Sequence, residues 1–124
     1  MNRVCDQTNE TAREQCSALL TAVGDALYVV GGKWTLRVII VLAHGNRRFN
    51  ELQRTVNGIS ARVLSNELKE LELNGFIRRI VVAGATPVRV EYELTEYSQS
   101  LGKVVDALSE WGTMHRQKIR QPVG

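Results

Sequence analysis

The chain has 124 residues, of which 44% are hydrophobic and 23% charged, with a formal net charge of +3; this is enough for one compact domain with a core and short for two. No stretch approaches the roughly 18 uninterrupted apolar residues that a membrane span needs, so no membrane partner is expected. Two cysteines, Cys5 and Cys16, are too few for a disulfide framework, and His44 and His115 lie too far from them for zinc spacing, so neither metal nor cofactor is expected.

Residues 1–9 lack apolar periodicity and read as a mobile arm ahead of a single domain over 10–120. From 10 to 30, Leu19, Leu20, Val23, Leu27 and Val30 recur at three- and four-residue intervals, which predicts an amphipathic helix. Gly31-Gly32 breaks it. Residues 33–43 are then apolar almost all round, the mark of a core helix, with His44-Gly45 as its C-terminal stop. A short helix over 49–56 turns Phe49, Leu52 and Val56 inward and ends at Asn57-Gly58. Ser60 is a suitable N-cap for the next helix, 60–74, whose Leu64, Leu68 and Leu71 share one face. The pair forms a helix-turn-helix. Two β-branched runs, 76–82 and 88–94, flank a five-residue loop centred on Gly84 and predict a hairpin. Thr95 opens a last helix over 95–117, with Leu101, Val104, Val105, Leu108 and Trp111 on one stripe. The fold class is α+β, mainly α, a winged helix-turn-helix.

The charge concentrates in the middle: residues 33–94 hold ten Lys/Arg against six Asp/Glu. In the helix over 60–74, Arg62, Ser65 and Asn66 face away from the leucines, near the end that enters a major groove. Arg and Asn carry the paired hydrogen-bonding groups that grip guanine and adenine, so these three are the base-reading candidates. Ser60 and Lys69 suit phosphate oxygens. Arg78 and Arg79 in the first strand and Arg89 after the loop flank a tip of small residues, as in a wing that contacts the sugar-phosphate backbone. The alternatives are a solvated helix face and an edge hairpin kept soluble by charge. Helix-turn-helix and basic hairpin in direct succession favour double-stranded DNA as the partner.

Gly31-Gly32-Lys33-Trp34, Arg48-Phe49-Asn50-Glu51-Leu52, Gly58-Ile59-Ser60, Leu68-Lys69-Glu70-Leu71-Glu72 and Val90-Glu91-Tyr92-Glu93-Leu94-Thr95 together resemble the HxlR family of winged-helix transcription regulators, over about 31–112. The resemblance implies a cytoplasmic, nucleoid-associated homodimer built from the terminal helices, with 60–74 as recognition helix and the Arg89 hairpin as wing. Leu20, Val23, Leu27, Leu101, Val104, Val105, Leu108 and Trp111 are then the dimer residues. A two-fold dimer sets its reading helices roughly 34 Å apart, which calls for a palindromic operator. Some members sense oxidants or electrophiles through an N-terminal cysteine, which makes Cys5 and Cys16 candidate sensors beside the plainer reading of unreactive thiols. The chain departs from the family pattern in two places: Cys-Pro is common about ten residues before the Gly-Gly pair, whereas here Cys16-Ser17 lies fifteen before Gly31, and one of two wing prolines is replaced, leaving Pro87-Val88.

Two other classes compete with this reading. A winged helix that binds protein instead of DNA would leave Arg62, Asn66 and Arg89 as surface. An enzyme finds no support, because there is no phosphate loop, no nucleophile elbow and no histidine in a catalytic constellation.

Overall fold

A computed structural model describes residues 10–121. The element order is α1 (Glu10–Val30), α2 (Thr35–Ala43), α3 (Phe49–Thr55), α4 (Ala61–Leu73), β1 (Ile77–Val82), β2 (Arg89–Leu94), a 3-10 segment (Glu96–Leu101) and α5 (Gly102–Arg120). The predicted arm lies outside the described residues. Two compact units divide the chain, Met1–Leu36 and Arg37–Gly124, where the sequence suggests one domain over 10–120.

In the first unit α1 has the predicted bounds, and most of its apolar stripe is uncovered: Leu20, Val23 and Leu27 are exposed. The helix stops where it must. The Gly31 amide donates to the Leu27 carbonyl at 2.8 Å, and any β-carbon at Gly31 would collide with that same oxygen. Trp34 sits half-buried under the Lys33 ammonium, 4.8 Å from the ring centroid.

The second unit is organised around the leucines of α4. Leu64, Leu68 and Leu71 are 0–2% exposed, and the rest of the core includes Val38, Leu42, Leu52, Val56, Ile59, Phe76 and Ile77. Each fully buried aliphatic side chain contributes about 1.5–3 kcal/mol. Turn chemistry fixes the joints: Gly45 (φ 131°) ends α2, and Gly58 (φ 88°) and Gly75 (φ 81°) bracket α4 in the left-handed region that suits glycine. The core helix starts two residues later than expected, at Thr35.

β1 and β2 form an antiparallel hairpin in which Ile77 pairs with Leu94 and Val82 with Arg89. The loop is six residues long, one more than predicted, and Gly84 turns it with φ 79°. Arg47 bridges to Tyr92 through two backbone hydrogen bonds of 2.8 and 3.2 Å, tying the approach to α3 onto the sheet.

The last helix differs most from expectation. Thr95 stands at its head, but its hydroxyl donates to the Gly75 carbonyl and leaves the helix amides alone. The Ser98 amide and hydroxyl both close on the Thr95 carbonyl, and Tyr97 stacks on Phe76 with centroids 5.2 Å apart. These contacts wind 96–101 as a tighter 3-10 turn, so α5 proper begins at Gly102.

Candidate nucleic-acid interface

The Ser60 hydroxyl accepts from the Val63 amide at 3.2 Å and starts α4 at Ala61. At about 100° per residue, Arg62, Asn66, Lys69 and Leu73 fall within about 60° of one another, opposite Leu64, Leu68 and Leu71. The first three are exposed, and Ser65, on the flank between the faces, is half-buried. Leu73 is 80% exposed on the outer face and was missed in the sequence, where it reads as one more helix leucine.

The wing arginines separate. Cross-strand pairing puts Arg78, Glu93, Glu91 and Arg89 on one pleat face, with Arg79 on the other. Arg78 Nε lies 3.2 Å from Glu93 Oε2, and Arg89 Nε 4.0 Å from Glu91 Oε2. Four residues of register, about 13 Å, separate Arg78 from Arg89. Arg78 borders a different hollow, a cavity of about 600 Å³ whose lining includes Ile39, His44, Leu101 and Val105. The wing tip therefore keeps Arg89 alone of the three.

What joins Arg89 comes from α3. A cleft of about 580 Å³ runs between the start of α3 and the wing loop, with Arg48, Asn50, Glu51 and Arg54 on one wall and residues 85–90 on the other. Phe49, expected to point inward, is half-buried and lines this cleft. Glu51 Oε1 accepts from the Arg48 amide at 3.1 Å and from its guanidinium at 3.4 Å. The bond from the Arg48 amide does most to hold the Glu51 carboxyl below its ordinary value; desolvation opposes it, and the Arg48 guanidinium and the charge of Arg47 add to the lowering. Arg48 and Arg54 had no assigned role in the sequence. In the sequence Arg48 stands out only as part of the Arg48-Phe49-Asn50-Glu51-Leu52 motif, and Arg54 only by its place in the basic middle.

Of the dimer candidates, Leu20, Val23, Leu27, Val104, Leu108 and Trp111 are 41–62% exposed, while Leu101 and Val105 are half-buried against the larger cavity. Cys16 is buried, 6% exposed, and disulfide-bonded, which replaces the expectation of a plain thiol. Cys5, the only other cysteine in the sequence, lies outside the described residues. Among the described residues no cluster of His, Cys, Asp and Glu could hold a metal, and no single helix is long and apolar enough to cross a membrane.

A family model described as HxlR-like helix-turn-helix matches residues 29–120. The chain belongs to this family. It is 41% identical over 98 residues to the HTH-type transcriptional regulator YtcD of Bacillus subtilis, covering 79% of this chain and 77% of that protein. The YtcD crystal structure superposes with a TM-score of 0.72 at 42% identity, over 77% of this chain and 96% of that one. The redox regulator HypR in its reduced form gives a TM-score of 0.72 at 37% identity, over 79% and 96%. YodB of B. subtilis in its reduced form gives 0.66 at 38%, over 71% and 85%, and has also been solved diamide-treated and quinone-bound. The chain is thus a winged helix-turn-helix transcriptional regulator of the HxlR-like family and not an enzyme.

Proposed function

We propose that this HxlR-like regulator binds double-stranded DNA as a homodimer on a palindromic operator, reading base edges with Arg62, Ser65 and Asn66 of α4. Ser60, Lys69, Arg79 and Arg89 contact the backbone, and Arg78 steadies the hairpin through Glu93. The observation that carries the reading is the division of α4, whose leucine face is buried to within 2% while Arg62 and Asn66 stand exposed one turn apart on the other side. The uncovered stripes on α1 and on α5 support a second copy as partner, since exposed Leu, Val and Trp at helical spacing mark an interaction surface.

Occupancy of the operator then responds to oxidants or electrophiles through Cys16 with Cys5. The disulfide at Cys16 and the redox states in which HypR and YodB have been solved support this. Two thiolates give up two electrons to the oxidant as the S–S bond forms, and a thiol reductant reverses the step. A protein carrying Cys5→Ser and Cys16→Ser should keep DNA binding under diamide; if it responds as the native protein does, the cysteines are not the sensor.

Fluorescence-anisotropy titration against duplexes selected from a random pool tests the DNA reading. Arg62→Ala should relax preference at one base pair by about 1–3 kcal/mol and leave the others unchanged. Salt-insensitive binding, or identical preferences in native and Arg62→Ala proteins, would overturn it.

A further inference from the structure

The cleft between α3 and the wing brings three guanidiniums together, and they are not equivalent. Arg48 is engaged by Glu51 and Arg89 stands by Glu91, whereas Arg54 is exposed and has no ion pair among the described residues. Its apolar rim, Phe49, Pro87, Val88 and Val90, and its small loop residues leave room for a backbone to approach closely. One group opposes an anion there. Glu51 is held ionised by the Arg48 amide, so a carboxylate stands in the same cleft as the arginines.

We propose that this cleft seats the DNA phosphate backbone, with Arg54 as its principal contact and Glu51 as an attenuator that withholds Arg48. This rests on the DNA-binding reading above and adds a second anchoring point on α3, distinct from the base-reading face of α4. Glu51 is committed to two tasks. Its oxygen satisfies the amide at the start of α3, and its charge both occupies the Arg48 guanidinium and repels phosphate. The amide bond requires only an acceptor, while the attenuation requires the negative charge, so a glutamine separates them.

The test uses the full chain and a fluorescein-labelled mixed-sequence duplex of about 30 base pairs, titrated across a salt series. Each phosphate contact adds about 0.9 to the slope of log K against log salt. Arg54→Ala should lower the slope by about 0.9 and weaken binding roughly 3- to 10-fold near 0.1 M salt. Glu51→Gln should do the reverse, raising the slope by up to about 0.9 and tightening binding roughly 3- to 10-fold. Arg48→Ala should change little in the native background and cancel the gain in the Glu51→Gln background. Thermal melts of each variant separate these effects from misfolding.

An unchanged slope in folded Arg54→Ala, with the native slope steep, would overturn the cleft assignment while leaving α4 as the reader. Unchanged or weaker binding by folded Glu51→Gln would overturn the attenuator. Absence of salt-dependent binding by the native protein would sink the parent reading and the cleft with it.

Discussion

Helices α4 and α5 carry apolar stripes of the same period, yet the chain treats them in opposite ways. In α4 the three stripe leucines are 0–2% exposed; in α5, 19 residues long, none is buried, and Leu108, Trp111 and Met114 are 53–58% exposed. The pattern of a sequence thus says that a face will be covered but not by what. For α4 the cover is the chain's own core, with Leu52, Val38 and Phe76 at hand. For α5 the proposed cover is a second copy, and that assignment can be broken by perturbing each stripe separately.

The largest effect should come from the self-covered stripe. Leu64→Ala removes a side chain with no exposure at the centre of the second unit, and should cost about 2–5 kcal/mol, a large part of the stability of a domain this size. Urea denaturation followed by circular dichroism measures it. A loss below about 1 kcal/mol would mean that α4 is not held as its burial indicates.

Trp111→Glu attacks the other stripe. Trp111 is 58% exposed, its ring stacked on His115 at 4.9 Å, so within one chain the change should be nearly neutral. A two-fold interface contains the residue twice, and at about 2 kcal/mol per copy dimerisation should weaken roughly a thousandfold. Sedimentation equilibrium reads this directly. The native melting temperature should also rise with protein concentration and that of Trp111→Glu should not. A dimer that survives the change would move the interface off α5.

The contrast also explains what could be read from the sequence. Helices α1 and α4, the hairpin and the exposed polar face of α4 follow from periodicity and local caps, and Ser60, Gly75 and Gly84 stand where their conformations are needed. The 3-10 turn does not, because its causes are tertiary: the Thr95 hydroxyl prefers the Gly75 carbonyl twenty residues back, and Tyr97 prefers the face of Phe76. The cleft was equally hidden. Arg48 and Arg54 come beside Arg89 only once the hairpin folds back, and the parting of Arg78 from Arg89 follows from cross-strand register and from carboxylates that sequence spacing does not rank. Cys16 is the sharpest miss, since too few cysteines for a framework does not decide whether a given one is bonded.

The smallest effect sharpens the comparison at the helix starts. α4 begins on a side-chain cap, the Ser60 hydroxyl accepting from Val63, whereas α5 continues from the 3-10 turn through Leu101 with no side-chain cap. Ser60→Ala should therefore cost about 0.5–2 kcal/mol, a melting shift of several degrees. Ser60→Asp should restore stability, because aspartate caps as well as serine and its charge suits a helix N-terminus. The same charge would face phosphate if α4 enters DNA, so Ser60→Asp should bind a duplex several-fold more weakly than Ser60→Ala despite being the more stable protein. Parallel loss of stability and affinity across the two variants would reduce Ser60 to a cap and remove it from the backbone contacts. Opposite ranking in the two assays is what a helix end shared between fold and DNA must produce.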